Sequence, residues 1–368
     1  MSVKQIGPVI VEGRGPVSIG ARTLIRLGAL ALAVGLGALV FVSTGLPVAG
    51  SYRAMWEGAL GSSGAIGQTL VTSTPLILTG LSVALARRIA LWNLGGEGQL
   101  LMGAAFATAV ALWYPDVSRP LLVLGMLAAG TLGGALWALG PALLKTGLRI
   151  NEIVTTVVLN FVALALVGYL VRGPWRDPLA LGFPLSEELS GNSVMPALFG
   201  TGVHAGFLVA VAAALLLWFV LSWKRWARVA GAIGRSRGGG DTSPWPRLSI
   251  VLVMMASGAL AGVAGVGEVS GVVHRLSTDI SANYGYVGIV VAALSRFSPL
   301  GILVLAVPFG ALLVGGFVLR NMGTSGWVVA TLQGVIVAIV VASELLARFR
   351  VSWAASRHPG AIDAEGKP

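Results

Sequence analysis

Residues 85–113 read LARRIALWNLGGEGQLLMGAAFATAVALW. A basic pair, Arg87 and Arg88, gives way to Asn93, Glu97 and Gln99 among three glycines, and then to an almost unbroken apolar run. That run approaches the ~20 residues needed to cross a bilayer. A carboxylate is costly inside lipid, so the polar stretch marks either a helix end or a functional element.

The same apolar length recurs on both sides. Segments near 24–44, 66–86, 98–114, 120–144, 152–171, 204–222, 248–270, 285–297, 299–319 and 327–347 all read as spans. The segment at 285–297 is short and reads as a span or a re-entrant piece, which is tolerated where protein surrounds it. The expected fold is an all-α polytopic membrane protein, with about ten transmembrane or partly re-entrant helices in one bundle.

Composition agrees with that pattern. Of 368 residues, 56% are hydrophobic and only 11% are charged, against about 25% charged in an average soluble domain. Membrane β-barrels alternate with period two and lack such runs. The net charge of +11 reflects topology rather than nucleic-acid binding. With the N-terminus inside, 19 of the 25 Lys and Arg residues fall in cytoplasmic segments, and only Arg53, Arg119, Arg172, Arg176, Arg275 and Arg320 fall outside. This is the positive-inside asymmetry. The absence of cysteine excludes disulfides, thiol catalysis and Cys-ligated zinc. Residues 22–42 look like a signal peptide, but the many spans that follow favour a retained first helix.

Three regions follow: a basic cytoplasmic tail at 1–22, a transmembrane domain at 23–348, and a polar cytoplasmic tail at 349–368. The tails are expected to lack regular structure. Residues 45–65 are too mixed to span, and Tyr52, Met55, Trp56 and Leu60 recur at helical spacing, as in an interfacial helix. The longest outer loop, 172–203, holds Pro174, Pro178, Pro184 and Pro196, which forbid a long helix. The longest inner loop, 223–247, is basic and then broken by glycine and proline. Glycines four apart at Gly130/Gly134, Gly258/Gly262 and Gly267/Gly271 allow close helix approach, expected within one bundle.

Catalytic groups are sparse. There is no Walker A loop and no paired-carboxylate or His-Glu metal spacing. A Gly323-to-Gly326 stretch, GTSG, matches an intramembrane serine-protease motif, but no histidine sits within a neighbouring span to serve as its base. The chain is therefore expected not to be an enzyme. No Asp, Lys or Arg occupies the centre of a span, which weakens an ion-coupled secondary transporter, the alternative reading, and places the energy source outside the chain. The candidate path or gate residues are Asn93, Glu97, Gln99, Asn160 and Glu268. Asn151 and Glu152 open a helix and read as capping residues. Asn160 lies too far into its span to cap; an interhelical hydrogen bond and a pathway contact both fit. Glu268 ends a glycine-rich helix, where a solvated end and a path role both fit. Lys224, Arg225, Arg228, Arg235 and Arg237 offer a docking surface for a soluble partner, or simply a solvated basic loop.

These motifs resemble a known family. NLGGEGQ (93–99), NEIVTTVVLN (151–160) with YLVR (169–172), GEVSG (267–271) and YGYVG (284–288) with IVVAALSRFSPLG are similar, in order, to motifs of ABC importer permeases of the ribose/branched-chain amino acid type. Within that group they resemble the nucleoside and simple-sugar branch. The resemblance runs from about Tyr52 to Glu344. It implies a second homologous permease subunit, a cytoplasmic ATP-binding subunit that holds ATP-Mg, and an extracellular or periplasmic solute-binding protein. This chain would itself need no cofactor or metal. It implies a bacterial inner-membrane location and uptake by alternating access. In relatives an inner-loop motif couples to the ATPase, and here RVAGAIGRSRGGGDTSP (228–244) departs from it, with three consecutive glycines that disfavour helix. Residues 224–237 are the expected ATPase contact, in a form that departs from the family's motif.

Overall fold

The computed structural model describes residues 3–6, 9–13, 19–198, 200, 202–223 and 244–353. Every apolar segment read from the sequence falls on a helix. These are α1 (Ile19–Ser43), α3 (Ser63–Arg87), α4 (Gly96–Trp113), α5 (Arg119–Gly147), α6 (Glu152–Arg172), α7 (Gly206–Ser222), α8 (Pro244–Glu268), α9 (Tyr284–Leu294), α10 (Pro299–Asn321) and α11 (Gly326–Arg348). A further helix, α2 (Val48–Leu60), occupies the segment expected to lie at the interface. Six of these, α3, α5, α6, α8, α10 and α11, are long and apolar enough to cross a membrane. Helix α9 has 11 residues, a length of about 16 Å, roughly half a bilayer core.

Residues 52–323 form one compact unit. Its central element is α3, whose residues from Val71 to Ala86 are all buried. That burial explains why the helix is rich in hydroxyls rather than amphipathic. Ser73, Thr74 and Thr79 each donate to the carbonyl four residues back, so the hydroxyls need no outside partner. Pro75 also lies within this helix.

Helices α4, α5 and α8 cross where glycines remove the side chains between them. A Cβ on Gly103 would collide with Gly262, one on Gly134 with Gly258, and one on Gly265 with Leu100. The glycine pairs thus pack within this chain. Close approach of this kind is how helices associate where lipid removes the hydrophobic drive between them.

Between α6 and α7 the longest helical turn is the three-residue 3₁₀ segment Gly191–Ser193, as its prolines require. This loop is fastened to the segment after α8, which continues as a π-helical turn, Val269–Val273. Met195 N–H donates to the Ser270 carbonyl, Leu189 N–H to that of His274, and Ser186 N–H to that of Leu276, each at 2.9 Å. Arg275 pairs with Glu188 at 2.8 Å and Asp177 at 3.7 Å. Strands β3 (Ala197–Leu198) and β4 (Val203–His204) close the loop as a short antiparallel ladder ahead of α7.

Residues 1–51 and 324–368 form the other unit. Within it β1 (Val3–Ile6), β2 (Val9–Gly13) and β5 (Phe349–Trp353) make an antiparallel sheet in the order β1-β2-β5. Val3 pairs with Glu12, and Val9 with Trp353. The expectation of tails without regular structure therefore fails at these strands. Each end supplies unpaired N–H and C=O groups that the other end satisfies.

Candidate polar site at a helix break

After α3 ends at Arg87, the chain turns through Ala90, which has a left-handed backbone (φ 56°). It then runs through Trp92–Gly95 without helical structure before α4 begins at Gly96. Such backbone is tolerated at membrane depth only when protein satisfies its polar groups. Asn93 does much of this. Its Oδ1 accepts from the Gly95 N–H (3.0 Å) and from Gln99 Nε2 (2.9 Å), and its Nδ2 donates to Gln99 Oε1 (2.8 Å) and Ser257 Oγ (2.7 Å). Ser257 Oγ in turn donates to the Ser82 carbonyl at 2.7 Å. Asn93, Gln99, Ser82 and Ser257 are all buried, and together they tie the break to α3 and α8.

Two helix N-termini meet at this break. The Gly285 N–H, in the first turn of α9, donates to Glu97 Oε2 at 2.9 Å. Ser281 hydrogen-bonds the same side chain. Glu97 thus stands at the positive ends of both α4 and α9, where backbone N–H groups favour negative charge. The approach demands glycine at 285, where a Cβ would collide with the Glu97 backbone. Thr79 Oγ1 of α3, which donates to the Pro75 carbonyl at 2.7 Å, also lies 3.1 Å from the Tyr284 carbonyl and shares its one proton with it.

Asn160 clamps the other side. Its Oδ1 accepts from the Gly98 N–H (2.9 Å), and its Nδ2 donates to the Leu94 carbonyl (2.9 Å) and Tyr286 Oη (3.2 Å). Asn160 is eight residues into α6, about 12 Å from that helix's first residue. The break therefore lies well inside the bundle, deeper than the adjacent arginines suggest from sequence.

A cavity of about 650 Å³ opens from this junction toward Arg172 at the far end of α6. Glu97, Asn160, Phe161, Asp279, Asn283 and Tyr286 are among its lining residues. From Asn160 to Arg172 it follows α6 for about 18 Å. Size and lining, an apolar helix face opposite a few placed polar groups, match a small-molecule site.

The five candidate residues therefore separate. Glu97 and Asn160 border the cavity, while Asn93 and Gln99 sit behind it in the network that holds the break. Glu268 is buried at the end of α8 and is not among the cavity's lining residues. Asn151 caps α6 through the Ile153 N–H at 2.9 Å, and Glu152 forms an ion pair with Lys145 at 2.7 Å. Lys224, Arg225, Arg228, Arg235 and Arg237 lie outside the described residues. Sequence reasoning missed Tyr286, Ser281 and Asp279. The signal was the YGYVG stretch, whose glycines allow a helix to begin against another backbone.

Comparisons with known proteins follow the same outline. Residues 65–343 match the family described as branched-chain amino acid transport system / permease component. The chain is 32% identical to the glucose ABC transporter permease protein TsgB13 of Haloferax volcanii, covering 93% of this chain and 92% of that one. It is 30% identical to the guanosine ABC transporter permease protein NupP of Bacillus subtilis, covering 89% and 94%. The nucleoside ABC transporter permease protein NupB of Lactococcus lactis is 28% identical, over 88% and 92%. No solved structure matches.

Proposed function

The chain belongs to the branched-chain amino acid transport system / permease component family, and we propose on that premise that it carries nucleosides or simple sugars as the membrane subunit of an ATP-driven importer. One observation carries the substrate reading: two helix N-termini and a carboxylate meet at the end of a cavity lined by amides, hydroxyls and an aromatic face, with Asp279 and Arg172, of opposite charge, also on its wall. Such a site suits an uncharged solute rich in hydroxyls. The full-length likeness to permeases named for glucose, guanosine and nucleosides supports it.

In this reading Glu97 faces the solute, Asn160 fixes the wall of the path, and Asn93 and Gln99 hold the joint that must keep its shape. Glu268 contributes to a gate beyond the cavity rather than to its lining. The positive-inside pattern supports a bacterial inner-membrane location with the N-terminus in the cytoplasm. ATP-Mg would bind a cytoplasmic partner subunit, contacted by residues 224–237. A second homologous permease would complete the path, and a solute-binding protein would deliver cargo at the outer loop, 172–203.

The test is uptake by the reconstituted complex. Uptake should stop when ATP is withheld and persist after proton and sodium gradients are collapsed. Gradient-driven uptake by this chain alone would instead make it an ion-coupled carrier.

A further inference from the structure

The hydrogen bonds at the deep end of the cavity leave two particular groups unused. Tyr286 Oη accepts from Asn160 Nδ2 at 3.2 Å. Among the described residues its own proton has no acceptor, although the side chain lines the cavity. Asn160 does not take that proton, because it presents its donor Nδ2, not its Oδ1, to the Tyr286 hydroxyl, while Oδ1 is turned to Gly98. Tyr286 is therefore held as a donor toward the cavity. Glu97 provides the opposite polarity. A carboxylate offers about four acceptor positions, and the Gly285 N–H and Ser281 fill two of them. The donor and the acceptor are close along the chain as well, because Glu97 binds the residue immediately before Tyr286.

Resting on the reading of this cavity as the solute path, we propose that Tyr286 and Glu97 form a clamp for a vicinal diol. One substrate hydroxyl oxygen accepts from Tyr286, and the neighbouring hydroxyl donates to Glu97. Adjacent hydroxyls each donate and accept, so a diol satisfies both groups at once, whereas a deoxy analogue leaves one or both without that partner. Phe161 and Leu164 of α6 border the same cavity and offer an apolar face to the rest of the solute. Asn160 is a positioning residue here, acting on the solute only through Tyr286.

The experiment uses the complete complex with its binding protein in proteoliposomes, and measures uptake of guanosine, adenosine and uridine against their 2′,3′-dideoxy counterparts. Because the same binding protein serves every variant, a change in the ratio isolates the permease. Tyr286→Phe keeps the ring and should reduce the preference for the ribonucleoside about tenfold or more, chiefly by slowing ribonucleoside uptake. Asn160→Asp keeps an acceptor for Gly98 but removes the donors that turn Tyr286, and should reduce the same ratio. Ala165→Trp fills the cavity and should block both substrates. An unchanged ratio in Tyr286→Phe, with Ala165→Trp blocking uptake, overturns the diol clamp and leaves the path reading standing. Undiminished uptake by Ala165→Trp overturns both. Equal loss of both nucleosides in Tyr286→Phe and in Asn160→Asp, in assembled complexes, overturns the clamp by making these residues structural only. Failure of the wild type to carry any of the three nucleosides overturns the nucleoside reading, and the clamp with it.

Discussion

Asn160 has no donor left for a solute: its amide protons hold Leu94 and Tyr286, and its carbonyl already holds Gly98. Asn93 is similarly committed to Gln99, Ser257 and Gly95. Removing such a group leaves its buried partners unsatisfied. Asn93→Ala should cost about 1–3 kcal/mol of stability, read as a lower denaturation midpoint in detergent, with the ribonucleoside preference unchanged. His204 allows a second prediction at this scale. Its Nδ1 accepts from the Gly206 N–H at 3.1 Å, so the ring proton sits on Nε2, which is buried without a partner. Burial, and secondarily the neighbouring His274, push its pKa down to about 4. The unfolded chain takes up this proton near pH 6.5, while the folded chain does so only near the lowered value. Stability should therefore fall as pH drops from about 6.5 through about 4, and a His204→Gln variant should fall less steeply over that range. From sequence the polar residues could be found, because each interrupts an apolar run. Their division into lining and support could not, because it depends on which acceptors α3, α6 and α8 bring near.

At the scale of elements, the interrupted chain between α3 and α4 and the short helix α9 form one device, an 18-residue helix and an 11-residue helix abutting at their N-termini. Broken helices of this kind build the sites of many transporters. Gly285→Ala should push α9 away from Glu97 and abolish uptake, measured per assembled complex. Gly35→Ala in α1, where an added Cβ meets nothing within 4 Å, should leave uptake intact and serves as the matched control. The spans were readable because hydrophobic length is a strong signal, and all ten segments coincide with helices. The depth of the break was not. Arg87 and Arg88 precede it by only a few residues, and neither Ala90 nor Trp92 signals that the chain turns back into the bundle. The glycine crossings of α4, α5 and α8 were visible as spacings. Which helices they join follows from packing alone.

At the scale of the whole molecule, composition defines a polytopic membrane protein, and the family gives its task as a permease component. The pairing of the two chain ends in one sheet was beyond sequence reading, because β2 finds β5 at the opposite end of the chain. The central claim is that solute passes through the cavity between the helix break and Arg172. The chain contains no cysteine, so a single Ala165→Cys substitution places the only thiol of this subunit in that cavity. The direct measurement is ATP-driven uptake before and after this thiol is labelled with a bulky maleimide, in the presence and absence of saturating solute and binding protein. Labelling should abolish uptake, and solute should slow labelling. Complete labelling with unchanged uptake would contradict the account.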